Sequence, residues 1–499
     1  MKLLKIIIFQ ILTAVLLDVG ASTEWFTKLS PSVTDIFFNQ NKILIHEFST
    51  QSKLKCIHKC ILFASTCQFL QFTNRSKCTI YNSIQKENPF EIEDFYLREK
   101  KLVKIRFLNG SFMDRIQLIN LPEVLNLSRN GINLIAPFAF AGSNKTTILN
   151  LSCNNLTIIY SKSFYGLIYL KTLNLSFNQI SRLESDVFKD LSLLAFLDLR
   201  YNSLKFLNGN IFDNLQLLQD INLEFNQIDS IERYTFKNLN KLEKIILNNN
   251  CLKVLEPLFH NLISFTFLDV SSNQIRFVHN YTFMSFQKLA EILISSNQIF
   301  EINSETFKGA QSLKKIDVSV NKIQKVDANF SMNVASLKQL DMSKNNLSFI
   351  SPDIFIQLVN LESLRLDSCN IKVINLNSLV KLKYLFLRNN FINFFSQNLS
   401  SLIELRLTYN PLGNLTYPLI TSQNSALTTL GISYCQLNYI DLNILRNFAN
   451  LKILNIAGNL FTLNNDTFYG FKSLTVVSVP KEDITRFKII YPNITFFIF

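Results

Sequence analysis

Apolar and polar residues recur in one order over most of the chain. From residue 125 onward the template L-x-x-L-x-L-x-x-N-x-L returns, as in LKTLNLSFNQI (170–180), LQDINLEFNQI (218–228) and LKQLDMSKNNL (337–347). Each L-x-L predicts a short strand whose leucines point inward while the residues between them face outward. One such strand per copy, stacked in parallel, predicts a long curved sheet in a repeat solenoid.

The Asn of the template sets the register of the copies, most of which are 24 residues apart. We expect its buried amide to donate to and accept from backbone groups of adjacent turns, because an unsatisfied buried polar group costs about 1–3 kcal/mol. Cys replaces Asn twice, and both residues are expected to be structural thiols rather than redox residues. The register positions are Asn130, Asn154, Asn178, Asn202, Asn226, Asn250, Asn273, Asn297, Asn321, Asn345, Cys369, Asn390, Asn410, Cys435, Asn459 and the degenerate Glu482.

A phenylalanine follows the register position by nine or ten residues in many copies. A stripe of Phe could indicate a ligand groove, but its constant register favours a buried spine of stacked rings beneath the convex side. The rings ten residues after the register position are Phe140, Phe164, Phe188, Phe212, Phe236, Phe283, Phe307 and Phe355, and those nine after it are Phe259, Phe330 and Phe468.

This 24-residue form resembles the animal extracellular subfamily of leucine-rich repeats, which includes Toll-like receptor and matrix-protein ectodomains. The resemblance implies an α/β solenoid, a leucine-rich-repeat horseshoe with a parallel concave β-sheet, in about 16 repeats over residues 125–490. Because terminal turns of a solenoid expose apolar edges, residues 101–124 are expected to form an irregular N-terminal cap. Residues 491–499 are expected to be a C-terminal tail or a makeshift cap.

Four of the eight cysteines are clustered near the N-terminus, with the spacing C-x3-C-x6-C-x10-C. In an oxidising compartment this predicts a disulfide framework with three possible pairings. Zinc is less favoured, because the two C-x2-C knuckles are missing. The local pattern predicts a helix over 52–64 and strands near 67–72, 78–81 and 94–98.

The string CIHKCILFASTCQFLQFTNRSKCTIY resembles the PAN/apple family, in which a helix is stapled to a small sheet. The resemblance covers roughly residues 36–100, so a small disulfide-stapled α+β domain over 22–100 is expected to precede the solenoid. It implies the disulfides Cys56–Cys78 and Cys60–Cys67. The family mediates protein or carbohydrate contacts and is not catalytic.

Residues 1–21 predict a signal peptide, with Lys2 and Lys5 before an apolar run and small residues at Val19 and Ala21. This run, and the apolar tail after Lys488, are shorter than the roughly 20 residues that a membrane span takes. The expected product is therefore secreted and extracellular, without a membrane span. Its expected N-glycosylation sites are Asn74, Asn109, Asn126, Asn144, Asn150, Asn155, Asn174, Asn280, Asn329, Asn346, Asn398, Asn414, Asn465 and Asn493.

The early turns place Asn126, Asn150 and Asn174 between strand leucines. Sugars there would cover the concave face, unless folding hides these sites. The residues just before the register position form a predicted ladder with an exposed thiol, whose pairing with Cys251 stays open. This ladder consists of Cys153, Phe177, Tyr201 and Phe225.

Later turns combine aromatic and arginine residues, which are enriched at interface hot spots. The repeat spacing contracts there, to 21 and 20 residues between positions 369, 390 and 410, which predicts shorter convex loops. The alternative to a binding site is a set of ordinary solvated side chains. The candidate ligand-binding residues are Arg365, Tyr384, Phe386, Arg388, Glu404, Arg406, Tyr409 and Tyr434, with Asp367 beside them.

Charge and motifs narrow the function to binding. The net charge of +13 predicts a modest preference for polyanions, although the basic residues are dispersed and export makes nucleic acid an unexpected partner. The four histidines are scattered, and no catalytic, metal or cofactor motif occurs, so we expect no enzyme activity. Three classes remain: a secreted recognition or adhesion protein for a protein or glycan, in innate immunity or the extracellular matrix; the ectodomain of a Toll-like or related cell-surface receptor; and a structural matrix component.

Overall fold

The protein is described by a computed structural model. It describes residues 46–49, 69–74, 77–81, 107–108 and 123–498, without 142, 260, 261, 285, 423 and 424. These residues belong to two compact units, one containing the strands between 46 and 81 and the other containing 107–108 and everything from 123 onward.

The first unit contains a three-stranded antiparallel sheet. Its central strand, Lys77–Tyr81, pairs with His46–Ser49 on one side and with Phe69–Asn74 on the other. Two of these strands lie where the sequence predicts them. The expected helix over 52–64 and the expected strand at 94–98 lie outside the described residues. So do Cys56, Cys60, Cys67 and the side chain of Cys78, and the PAN/apple-like domain with its two disulfides therefore stays a prediction.

The second unit is a parallel β-solenoid. Its main sheet has seventeen short strands, each pairing in parallel with the strand of the next turn. We number the turns by these strands. Turns 1 to 17 have the strands Val124–Asn126, Ile148–Asn150, Thr172–Asn174, Phe196–Asp198, Asp220–Asn222, Lys244–Ile246, Phe267–Asp269, Glu291–Leu293, Lys315–Asp317, Gln339–Asp341, Ser363–Arg365, Tyr384–Phe386, Glu404–Arg406, Thr429–Gly431, Ile453–Asn455, Val476–Ser478 and Thr495–Phe497.

The alternation of the template produces these strands. In turn 4, Leu197 and Leu199 are buried, while Phe196 and Asp198 on either side of Leu197 keep part of their surface exposed. The register pairs Leu197 with Leu173 and with Ile221, so the same position stacks through successive turns. The prediction of a parallel sheet with leucines turned inward is confirmed.

The register Asn binds the turns to one another. In turn 5 the Asn226 amide oxygen accepts from the backbone N–H of Leu204 at 3.0 Å, in the preceding turn. Its Nδ2 donates to the carbonyl oxygens of Leu199 and Leu223, both at 3.0 Å. The same arrangement recurs along the solenoid, for example at Asn154 and Asn410. The expected amide network is confirmed.

The two cysteines in this register are buried, and burial raises the pKa of each thiol to about 12. The Cys369 Sγ lies 3.2 Å from the Met342 carbonyl oxygen, where an Asn amide would donate. The thiol replaces only part of the amide, because the N–H of Leu347 turns to the backbone carbonyl of Cys369 at 2.8 Å. Leu412 makes the same bond to the backbone of Cys435 at 3.0 Å. Both cysteines are structural, as expected.

The expected phenylalanine spine is present and buried. Successive rings from turn 1 to turn 5 stack with centroids 5.9 to 6.4 Å apart. At Phe259 the regular stack changes, because Phe265 and Phe286 also enter the core beside it. The predicted spine members, all at most 2% exposed, are Phe140, Phe164, Phe188, Phe212, Phe236, Phe259, Phe283, Phe307, Phe330, Phe355 and Phe468.

A second set of two-residue parallel strands lies about ten residues after the main strands. No such strand occurs between Lys325–Val326 and Asn414–Leu415 within the described chain, a stretch that includes the two contracted repeats. The pairs are Phe107–Leu108 with Leu134–Ile135, Ile158–Ile159 with Arg182–Leu183, Phe206–Leu207 with Ser230–Ile231, Val254–Leu255 with Phe277–Val278, Glu301–Ile302 with Lys325–Val326, and Asn414–Leu415 with Tyr439–Ile440.

Among the described residues, helix is confined to short segments. The 3-10 helices are Phe330–Val334 and Lys481–Asp483, and the α-helices are Leu442–Arg446 and Ile484–Ile490. After the last helix, Phe496 enters an aromatic cluster with Phe468 and Phe487, with centroids 5.5 Å from each. The apolar end of the chain is therefore partly buried, and Thr495–Phe497 extends the main sheet.

Candidate ligand-binding face

We call one surface of the solenoid the inner face. It comprises the outward side chains of the main strands and the residues that continue them to the register position. In turn 13, for example, it contains Glu404, Arg406 and Tyr409, while Leu405 and Leu407 between them are fully buried. Side chains of the inner face are therefore held at regular positions by the strand ladder beneath them.

The residue just before the register position has a left-handed backbone in turns 1 to 14, with φ between 49° and 61°. The chain needs this conformation to turn inward at the Asn. Such φ values are uncommon for bulky residues, but here the repeat imposes them on every turn. These residues form one border of the inner face, and we call them the edge row.

Three aromatic residues occupy the edge row in turns 3 to 5, and we call them the early stack. The Tyr201 ring lies 4.3 Å from that of Phe177 and 4.4 Å from that of Phe225, nearly parallel to both. All three are more than a third exposed. Sequence reasoning identified this ladder, and the structure shows that its rings are in contact.

A second aromatic pair occupies the edge row in turns 13 and 14, and we call it the late stack. The rings of Tyr409 and Tyr434 are 4.7 Å apart and nearly parallel. In turn 15 the row contains Gly458, with φ of +71°. A Cβ there would come within 2.4 Å of the Tyr434 ring, so glycine is required for the ring to lie where it does.

The candidate residues of turns 11 to 14 are brought together on the inner face. The register aligns Arg365 with Phe386 and Phe386 with Arg406, and it aligns Tyr384 with Glu404 in the same strands. Exposure is greatest for Arg365, Tyr384, Arg388, Tyr409 and Tyr434, and lower for Glu404 and Arg406.

Phe386, expected at the surface, is instead only 8% exposed. The Arg365 guanidinium lies over its ring, 4.0 Å from the centroid, and covers it. The other two arginines are paired with carboxylates. Arg388 lies 3.3 Å from Asp367, and Arg406 donates to Glu404 at 2.6 Å. The patch is thus an internally paired set of charges next to two exposed tyrosines, not a group of free cations.

Aspartates occupy the last residue of the main strand in turns 4, 7, 9 and 10, on the inner face, and sequence reasoning did not single them out. Asp269 accepts from the N–H and the hydroxyl of Ser271, and Asp341 accepts from the N–H of Ser343. Burial raises the pKa of both carboxyls, and the nearby Asp317 raises both further. The sequence could have identified these Asp residues as inner-face positions, because they share the register of Asn126, Asn150 and Asn174.

The sequon asparagines within the described solenoid are all at least partly exposed, in contrast to the buried register Asn beside them. Asn155 is exposed directly after the buried Asn154, for instance. On the inner face the Asn150 and Asn174 side chains accept from the N–H two residues later, at 3.0 and 2.9 Å. Asn109 and the side chain of Asn74 lie outside the residues that the structure describes.

Cys153 is exposed and Cys251 is half-buried, and both are free thiols in the structure. Within the part of the chain that is described, no group of three or more His, Cys, Asp or Glu side chains could hold a metal ion. None of the described helices has the length and hydropathy needed to cross a membrane.

Two family models match the sequence. A leucine-rich-repeat model matches residues 123–180, 168–228 and 311–371, and the model of the BspA-type leucine-rich-repeat region matches 205–334 and 420–490. No curated protein sequence matches the chain.

Solved structures share the fold. A leucine-rich-repeat protein of Leptospira interrogans is 22% identical, with a TM-score of 0.64 over 77% of this chain and 98% of its own. Toll of Drosophila, in its complex with Spatzle, is 20% identical, with a TM-score of 0.53 over 75% of this chain and 44% of the Toll chain. With the repeat register, the amide network and these matches together, the chain is a leucine-rich-repeat protein.

Proposed function

We propose that this protein is a secreted binding protein that holds an extracellular protein or glycan on the inner face of its solenoid. The observation that carries the proposal is the late stack beside the charged residues of turns 11 to 14. Exposed tyrosines contribute little to the core, whereas Tyr and Arg are the residues that dominate binding energy at interfaces. The strand ladder beneath them holds them in place, which lowers the ordering cost of binding.

Secretion is part of the proposal. It is supported by the predicted signal peptide and by the surface positions of the sequon asparagines. Expression in a eukaryotic secretory cell, followed by site-resolved glycopeptide mass spectrometry, tests it. We expect the product in the medium, with glycans at exposed sites such as Asn155, Asn398 and Asn465. Retention inside the cell without glycans would exclude an extracellular role. Peptide mapping of the same material tests the proposed Cys56–Cys78 and Cys60–Cys67 disulfides.

A protein partner is supported by the similar structure of Toll, which is that of a Toll–Spatzle complex. The net charge of +13 supports anionic glycans as the preferred glycan class. Retention on immobilised heparin, measured against a neutral glycan column, separates these two partner classes.

The decisive experiment reverses two charges on the inner face. A partner recovered from extracellular fluid with the wild-type protein is tested against the double variant Arg388→Glu with Arg406→Glu. We expect affinity to fall about tenfold or more, equal to about 1.4 kcal/mol. The control is Arg182→Glu with Arg276→Glu, which changes net charge equally but lies after the register positions and off the inner face. Equal loss in both variants, or no loss in the first, would reject the site in turns 11 to 14.

A further inference from the structure

We infer that one flank of the solenoid, just before the main strands of turns 8 to 12, binds a linear sulfated glycan that runs from turn to turn. The inference rests on the proposed function only for export, because a sulfated glycan is met outside the cell. It assigns the anionic glycan to a surface other than the inner face.

We call this surface the basic flank. It comprises the outward side chains of the four residues before each main strand and of the first strand residue, in turns 8 to 12. Its charged side chains are six lysines and two glutamates, an excess of four positive charges. The same positions hold no charged side chain in turns 4 and 7, so the charge is local and is not a feature of the repeat. The eight residues are Lys288, Glu291, Lys314, Lys315, Lys338, Glu362, Lys381 and Lys383.

Backbone hydrogen bonds between turns arrange these residues in a row. The N–H of Lys338 donates to the Lys314 carbonyl oxygen at 2.9 Å. The N–H of Glu362 donates to the Lys338 carbonyl oxygen at 2.8 Å, and the N–H of Lys383 donates to that of Glu362 at 2.9 Å. Because neighbouring strands lie about 5 Å apart, these side chains form a continuous row over turns 9 to 12. The basic residues look dispersed in the sequence because a whole repeat separates each from the next.

The two glutamates neutralise only part of the row. Lys338 and Lys383 donate to the Glu362 carboxylate at 2.9 and 2.8 Å. Lys315 donates to Glu291 at 2.6 Å. Two glutamates thus engage three of the six lysines.

The other three lysines have no acidic partner. Lys288 and Lys314 are exposed, and neither has an ion-pair partner within 4 Å among the described residues. Lys381 donates only to the neutral amide oxygen of Asn360, at 2.8 Å. The flank therefore presents free positive charge to solvent, unlike the paired arginines of turns 11 to 13.

Glu362 shows how an anion is held on this row. Its two oxygens accept from lysines of the turns before and after it, and these bonds lower the pKa of its carboxyl to about 2. A sulfate group also offers several acceptor oxygens and one negative charge, and charge-assisted hydrogen bonds of this kind are the strong ones. Ammonium groups on successive turns can therefore hold successive sulfates of one chain.

The borders of the row favour a narrow, linear polyanion over a broad anionic surface. On the inner-face side, Asp317 and Asp341 end the main strands of turns 9 and 10. On the other side, Lys308 is neutralised by Glu305 at 2.8 Å. A membrane surface would bring its anionic groups against these carboxylates. The flank also lacks large apolar side chains that could insert into lipid.

The test measures binding of the full secreted protein to a heparin-derived hexasaccharide by isothermal titration calorimetry at physiological salt. Lys314→Glu with Lys338→Glu should weaken binding about tenfold or more, equal to about 1.4 kcal/mol. The matched control is Lys205→Glu with Lys253→Glu. It changes net charge equally, but its two exposed lysines follow the register positions of turns 4 and 6. It should bind like the wild type.

A second variant is expected to bind more tightly, an effect that loss of folding cannot imitate. Glu362→Gln removes the internal counter-charge and frees Lys338 and Lys383 for the glycan. Affinity should rise about threefold, as expected for release of an exposed ion pair. Glu301→Gln makes the same change of net charge at an exposed position after the register Asn of turn 8, and it should leave affinity unchanged.

The inference is overturned by the absence of hexasaccharide binding, by equal binding of a desulfated hexasaccharide, or by equal loss in both lysine variants. Tighter binding of a single-stranded nucleic acid or an acidic peptide at the same lysines also overturns it. Loss of binding on Arg388→Glu with Arg406→Glu, with the lysine variants unaffected, overturns it and leaves the proposed function intact. Absence of secretion contradicts the proposed function instead, and protein purified from the cells then decides the inference.

Discussion

The buried spine and the exposed early stack are both rows of stacked aromatic rings along this solenoid. The spine rings of Phe164, Phe188 and Phe212 are at most 1% exposed and lie 6.0 to 6.1 Å apart. The early stack of Phe177, Tyr201 and Phe225 follows the same 24-residue repeat, yet each of its rings is more than a third exposed, with spacings of 4.3 and 4.4 Å.

The difference shows that ring stacking alone does not reveal what a stack is for. A buried ring fills space that nothing else fills, so its loss leaves a cavity. An exposed ring leaves only solvent behind. The position of each ring relative to the register Asn therefore distinguishes rings that stabilise the core from rings that are available for binding. Substitutions at the two positions should lower the free energy of unfolding by different amounts.

The largest contrast is expected between Phe188→Ala and Tyr201→Ala. Loss of the buried ring should lower the free energy of unfolding by about 3–5 kcal/mol. Loss of the exposed ring should lower it by about 0.5–1.5 kcal/mol, the range of an aromatic pair. Chemical denaturation followed by circular dichroism measures both. Equal losses would mean that the early stack is part of the core.

Two asparagines of turn 5 allow the same comparison between a buried and a partly exposed side chain, here with polar residues. Asn226→Ala should cost about 3 kcal/mol, because it leaves the Leu204 N–H and several carbonyls without partners. Asn222→Ala should cost about 1 kcal/mol, since that side chain only accepts from the Glu224 N–H. The same denaturation curves compare them, and a larger loss at Asn222 would contradict the assigned roles.

A smaller, pH-dependent effect is expected for Asp269→Asn on the inner face. The folded pKa of Asp269 is raised, chiefly by burial, so its charged form destabilises the fold at neutral pH. Asn can accept the same bond from Ser271. The variant should therefore melt higher than the wild type at pH 7. The gain should shrink as pH falls through the raised folded pKa, and vanish below the ordinary aspartate pKa of 3.8, where the wild-type carboxyl is protonated in both states. A pH-independent difference would reject this cause.

The smallest effect is expected for Glu362→Gln, which removes an exposed ion-pair network. Hydrogen bonds from Lys383 and Lys338 lower the pKa of Glu362 to about 2. Its stabilising effect is complete above the unfolded pKa and is lost as pH falls towards 2. At pH 7 the variant should melt slightly lower, and the difference should disappear in 1 M salt, where the screening length is about 3 Å. Persistence in high salt would indicate packing rather than charge.

Much of the solenoid could be predicted from sequence because the structural role of a residue follows from its position within the repeat. The strand leucines, the register Asn and the Phe spine each depend on a position within the repeat, and all three predictions are confirmed. The two-residue second strands were not predicted, since they lack a distinctive template. For residues 491–499 the sequence left a tail and a makeshift cap open, because Phe496 packs on Phe468 and Phe487 from outside the repeat register.

The candidate face was harder to predict, because its exposure depends on pairs across turns. The sequence predicted that Arg365 and Phe386 lie on the same face, but it did not predict that the Arg365 guanidinium lies over the Phe386 ring. That contact depends on a repeat of 21 residues bringing the two into register. The acidic positions of turns 4 to 10 were not singled out, because each one looks like an ordinary template residue. Only their alignment across turns lets Asp317 raise the pKa of both Asp269 and Asp341.

Each main strand pairs only with the strands one turn before and one turn after it. In such nearest-neighbour systems the effect of a substitution decays along the array, and distant substitutions add. The early and late stacks are eight turns apart, so a variant at one can be combined with a variant at the other. Their effects on binding can then be multiplied, and any departure from the product would measure contact through a shared partner.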